Sequence, residues 1–187
     1  MLPNQGEQHA SAASLLVVTG PPGAGKSSVA RVVADRFERS ALVEGDAFFA
    51  FLARGAVPPW LPESSEQNKV VVTVAAAAAG RYAAEGYATV YDGVIGPWFL
   101  PTFAEATGLD RLHYVVLLPS VETCVARVAA RRGHSFTDEP ATRKMHAEFA
   151  RAEIDRRYVL ADRSGEVEIV AHEVLERLDD GSLRYPS

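Results

Sequence analysis

Cys124 is the only cysteine in 187 residues, so no disulfide can form within the chain and a thiolate metal site is not expected. Lysine is nearly as scarce. Lys26, Lys69 and Lys144 are the only three among 19 basic residues, set against 24 acidic ones. The resulting net charge of −5 is the reverse of the basic excess that nucleic-acid binders carry, so no nucleic-acid partner is expected. Long apolar runs are missing too. The most apolar stretch, Val70 to Ala79, is too short to span a bilayer and is flanked by Lys69 and Arg81, so no membrane partner is expected. Residues 1–13 are polar and small and lack a basic start followed by an apolar core. They read as a flexible segment, not a secretion signal, and the expected location is cytoplasmic. Histidines and carboxylates nowhere take zinc-ligand spacing. A guanine-reading Asn-Lys-x-Asp is absent, since Asn68-Lys69 runs on into Val70-Val71. The expected fourth strand ends Leu117-Leu118-Pro119-Ser120, without the acid that motor ATPases place there.

What is present is a phosphate-binding loop. Gly20-Pro21-Pro22-Gly23-Ala24-Gly25-Lys26-Ser27 satisfies G-x-x-x-x-G-K-[ST] at every fixed position. The apolar, partly β-branched Leu15-Leu16-Val17-Val18 before it reads as a buried strand, and Ser28 to Phe37 after it as a helix. Glycines there let successive N–H groups converge on one anion, and the helix start adds partial positive charge. The expected nucleotide-binding set is Gly20, Gly23, Ala24, Gly25, Lys26, Ser27 and Ser28. Lys26 would reach the β- and γ-phosphates, and the Ser27 hydroxyl would join a magnesium shell.

Apolar runs alternate with helical patterns along residues 14–187, which predicts one α/β domain with a parallel sheet. Strands are expected near 14–19, 40–43, 87–91, 112–118 and 157–161. Helices are expected over 25–38, 46–54, 64–85, 98–107, 120–132, 138–156 and 166–179. The alanine run 75–79 reads as a closely packed helix face. Gly55 to Pro62, with three prolines and Trp60, reads as a stiff loop.

Ligands of parallel sheets bind beyond the carboxyl ends of the strands. Strand two ends Glu44-Gly45-Asp46 and strand three Tyr91-Asp92-Gly93, so two carboxylates are expected at the rim that holds the phosphates. One of them, Asp46 by preference, would accept the proton of an attacking hydroxyl. Asp92 would hold magnesium or orient the substrate. The plainer readings are a helix cap for Asp46 and a turn residue for Asp92. Arg127 and Arg131 share a helical face just before Gly133 breaks the chain. Together with the weaker Arg132, they are expected in a lid over about 127–140, stabilising charge on the transferred group; Arg127 is also expected to touch the nucleotide. His134 in that segment is a minor candidate, and 162–165 is a candidate loop beside the adenine. Phe49, Arg54, Trp60 and Trp98 complete the expected substrate side. Cations are few between Asp46 and Phe103, which favours an acceptor with a neutral hydroxyl and apolar surface over a nucleoside monophosphate.

On these residues the chain resembles the small P-loop kinases of the nucleoside-monophosphate-kinase fold. It looks nearest the small-molecule branch that includes gluconate kinase, shikimate kinase and chloramphenicol phosphotransferase. Glu44-Gly45-Asp46 is similar to the second strand end of gluconate kinases, and the resemblance implies a base role for Asp46. It also implies a three-layer fold with a five-stranded parallel sheet in the order 2-3-1-4-5, helices on both faces, and a small helical lid carrying Arg127 and Arg131. The implied activity is transfer of a phosphate from ATP, with Mg²⁺, to a small-molecule hydroxyl, such as that of an antibiotic or other secondary metabolite. The alternatives are a nucleotide-binding regulatory module without an acceptor, and a toxin-like kinase of nucleotide sugars.

Overall fold

A computed structural model describes residues 14–130, 136–161 and 166–186. The expected flexible segment 1–13 lies outside them.

Strand β1 (Leu15–Thr19) is buried at every residue, because both of its faces are covered. It pairs in parallel with β3 (Ala88–Asp92) and β4 (Arg111–Leu117). Strand β2 (Ser40–Glu44) flanks β3, and β5 (Val159–Leu160) flanks β4. The order is therefore β2-β3-β1-β4-β5, with parallel neighbours that require crossover helices. Seven helices supply them among the described residues: α1 (Lys26–Ala34), α2 (Gly45–Phe49), α3 (Ser65–Ala84), α4 (Leu100–Thr107), α5 (Val121–Ala129), α6 (Glu139–Arg151) and α7 (Val167–Asp179). Helix α1 packs on α7, α3 on α4, and α5 on α6.

Several boundaries differ from expectation for local reasons. Helix α2 stops at Phe49, five residues early, and gives way to a connection in which Gly55 takes φ 71 and two prolines follow. Helix α4 starts at Leu100, with Pro101 in its first turn, where a missing N–H costs nothing. Helix α6 opens on Asp138, whose carboxylate accepts from the Ala141 N–H at 2.8 Å, and ends at Arg151 as Ala152 turns extended. A 3-10 turn, Arg156–Tyr158, precedes a fifth strand of only two residues. A short strand β6 (Arg184–Pro186) pairs antiparallel with the start of β4, with Leu112 opposite Tyr185. Three residues ending in proline are too few to show alternation, so this strand had no signal in the sequence.

The alanine run does form a close helix contact. Ala75, Ala76, Ala79, Gly80 and Ala83 are buried in α3, and a β-carbon on Gly80 would collide with the Thr107 carbonyl of α4. No described helix is long and apolar enough to cross a membrane.

Candidate active site

The loop between β1 and α1 is shaped by backbone, not side chains. Gly25 caps α1 at φ 95 and ψ 11 with no side-chain capping bond, so the first N–H groups of the helix are not taken up by a cap. Gly23, at φ 80, lies against α5, where a β-carbon would collide with the Cys124 carbonyl oxygen. Glycine is required there twice over, by conformation and by space. The Lys26 ammonium curls back over the loop and donates to the Pro21 carbonyl at 3.1 Å.

Asp92 closes β3 in register with Val18 of β1 and Glu44 of β2, directly beside this loop. It is only 8% exposed. Burial raises its pKa; Lys26 and a hydrogen bond from the Ser27 hydroxyl oppose the shift, while Asp46 and Glu44 reinforce it. Four expected residues, Lys26, Ser27, Asp46 and Asp92, are thus brought together at one rim. The loop after Asp92 is tied down on both sides. The Ile95 N–H donates to Thr19 Oγ1 at 2.8 Å, and the Tyr114 hydroxyl donates to the Ile95 carbonyl at 2.8 Å.

Asp46 stands exposed in the first turn of α2. The capping residue of that helix is Glu44, and no side-chain capping bond is made, so the plain capping account of Asp46 does not hold. Glu44 instead pairs with Arg31 of α1 at 3.1 Å on the surface.

Tyr91 escaped the sequence reading. Its phenol is 3% exposed, and its pKa is raised by burial first, then by Asp46 and Asp92, so both acids lie near its hydroxyl. Gly45 and Gly93, the residues that precede Asp46 and follow Asp92, both pack on this ring. The one signal of Tyr91 in the sequence was its place at the end of β3, next to Asp92.

Arg127 lies in the last turn of α5, and its Nη1 donates to the Ala24 carbonyl at 3.4 Å. It is a helical residue braced on the phosphate loop. With Ala24, Gly25, Ser28, Val29, Glu166, Val167 and Val170 it lines a cavity of about 150 Å³. A second depression, about 750 Å³, is an open trough along α7 bordered by Arg36–Glu168 and Arg177–Glu173 ion pairs, a solvated surface. Arg131, Arg132 and His134 of the expected lid, and the 162–165 loop, lie outside the described residues.

On the expected substrate side, Phe49 is half-buried in α2. Trp60 makes an edge-to-face contact with Phe136, with centroids 4.9 Å apart. Trp98 is 46% exposed, and its indole covers Gly96 and packs against Phe149 of α6 at 5.3 Å. Arg54 is exposed on the connection after α2 and is not among the charges acting on Asp92.

A family model described as an AAA domain matches residues 15–152. The chain belongs to that family. No curated protein matches it in sequence. Solved structures share the fold. A Deinococcus radiodurans tunicamycin resistance protein superposes with a TM-score of 0.66 at 16% identity, covering 89% of this chain and 95% of that one. A Sinorhizobium meliloti gluconokinase gives 0.60 at 22% identity, covering 92% and 97%. A Mycobacterium tuberculosis APS kinase, solved with AMPPNP and APS, gives 0.63 at 17%, covering 90% and 99%. The fold is that of small-molecule P-loop kinases, as the resemblance implied.

Proposed function

We propose that this protein is an ATP-dependent kinase that transfers the γ-phosphate to a hydroxyl of a small molecule. One observation carries the reading: the Asp92 carboxylate, at the end of β3, lies within the influence of Ser27, Lys26 and Asp46 at once. That arrangement has the parts for in-line phosphoryl transfer, in which positioning and electrostatics do most of the catalysis.

The N–H groups of Gly20, Gly23, Ala24, Gly25, Lys26, Ser27 and Ser28, with the Lys26 ammonium, would hold the phosphates. Ser27 and Asp92 fit magnesium, because a hydroxyl hydrogen-bonded to a buried carboxylate offers two hard oxygen donors. A bound Mg²⁺ would neutralise charge on the β- and γ-phosphates. Arg127, braced on Ala24, would face the nucleotide, and Arg131 would add charge at the transferred group. Asp46, exposed and uncommitted to capping, would take the proton from the acceptor hydroxyl. Phe49, Arg54, Trp60 and Trp98 would line the acceptor side. A tunicamycin resistance protein of the same fold accords with an antibiotic or secondary-metabolite acceptor.

The test is a panel of hydroxylated metabolites and antibiotics, screened for an ATP-dependent mass gain of one phosphate. With an acceptor in hand, Asp46→Asn should lower turnover by roughly 10²–10⁴-fold while AMPPNP affinity holds. A regulatory nucleotide-binding module would phosphorylate nothing in the panel and would be indifferent to the substitution.

A further inference from the structure

Trp60 and Phe136 reach each other from opposite sides of the sheet. Trp60 follows β2 and α2, whereas Phe136 follows β4 and α5. Strands β2 and β4 are separated by β3 and β1, so the two chains start three strand spacings apart, about 14 Å. The ends of β3 and β1 between them carry Asp92 and the phosphate loop. An edge-to-face contact at 4.9 Å therefore joins segments that leave β2 and β4, the strands on either side of those two.

One half of this contact is held rigidly. Gln67 of α3 clamps Val57 at both backbone atoms, accepting its N–H at 2.8 Å and donating to its carbonyl at 2.7 Å. Asn68 Nδ2 donates to the Pro59 carbonyl at 2.7 Å, and the single Ser64 hydroxyl proton lies between the Pro59 and Leu61 carbonyls, at 2.9 and 2.6 Å from Oγ. The residues on either side of Trp60 are thus fixed before any ligand arrives, which lowers the entropy lost on binding.

Resting on the kinase reading above, we propose that Trp60 and Phe136 together roof the acceptor cleft and select an uncharged alcohol carried on a ring. Aromatic edges and faces bind flat apolar surfaces well. The carboxylates of Asp46 and Asp92 at the strand ends would repel an acceptor that bears its own carboxylate or phosphate. Phe136 is the partner that lets the Trp60 wall extend over the reacting hydroxyl.

The probe is 4-nitrobenzyl alcohol, titrated with Mg²⁺ and AMPPNP present, with shikimate as an anionic ring alcohol for contrast. Labelling with 5-fluorotryptophan gives one ¹⁹F resonance for each of the two tryptophans. The expected result is a saturable shift at Trp60 with the nitrobenzyl alcohol and none with shikimate. Phe136→Ala should weaken that binding at least tenfold, and Phe136→Tyr, which keeps the ring, should weaken it far less. Equal affinity in Phe136→Ala, the absence of a saturable shift, or equal binding of shikimate overturns the proposal. AMPPNP affinity in each variant checks that the domain is folded. Phosphate transfer, followed separately by mass, reports on the kinase reading: binding without transfer keeps the roof and sinks the kinase.

Discussion

Gly45 lies so close to Tyr91 that a β-carbon there would collide with the phenol hydroxyl and stand 2.9 Å from the ring Cζ. The same ring is 2.7–3.0 Å from a β-carbon placed on Gly93. Neither glycine adopts a left-handed φ, so space and not backbone conformation excludes a side chain at both. The phenol thereby sets how the segment bearing Asp46 seats against the one bearing Asp92.

A substitution cycle checks this. Gly45→Ala overpacks the contact and should destabilise the domain by about 1–3 kcal/mol. Tyr91→Phe removes the atom nearest the added carbon, so the double variant should recover part of that loss, with a coupling of about 1 kcal/mol in urea unfolding. Additive effects of the two changes would show that the ring and the glycine do not press on each other.

How legible this was depends on the range over which each signal acts. The phosphate loop announces itself because eight contiguous residues carry its geometry. Leu15 to Thr19 needed only an apolar run. Asp46 and Asp92 could be placed at one rim because parallel strands share a carboxyl end. The Tyr91 contacts were out of reach, since they join a side chain to glycines 46 residues before it and two after it through β2–β3 pairing. Trp60 meeting Phe136 depends on strand order, which local periodicity does not encode. Helix α2 ended early because the turn toward Gly55 and Pro58 outweighs the apolar pattern of Phe48 to Leu52.

His113 gives a pH-dependent prediction. It pairs in register with Arg184 of β6, and its Nδ1 is buried without a hydrogen-bond partner. Burial first, then Arg184 and Arg111, lower its pKa to about 4 from an ordinary 6.5. The folded protein therefore keeps the imidazole neutral while the unfolded chain takes up a proton. Stability is fully present above 6.5 and is lost as pH falls from 6.5 toward 4, by up to about tenfold in the unfolding constant per pH unit. His113→Leu should flatten that slope between pH 7 and 5 in urea unfolding. An unchanged slope would mean that the ring is solvated and titrates alike in both states.

Asp92 carries the opposite sign and, under the kinase proposal, would join stability to function. Its carboxyl pKa is raised by burial above the usual value despite Lys26 and Ser27, so the folded state holds its proton more tightly than the unfolded one. Stability is then greatest at acid pH and falls as pH rises through the folded value, where a carboxylate that Lys26 and Ser27 compensate only in part is left in a buried site. Asp92→Asn should therefore raise the apo melting temperature at pH 7, and the gain should shrink as pH is lowered toward 4. If the kinase proposal holds, the same change should lower phosphoryl transfer on the order of 100-fold, because a preorganised charge that would face the metal is lost. ATP with Mg²⁺ should raise the melting temperature of the natural protein well beyond ATP with EDTA, and this difference should vanish in the variant. Both outcomes together would mark Asp92 as the metal-facing acid of the proposed kinase, since a structural aspartate would gain no stability from a cation.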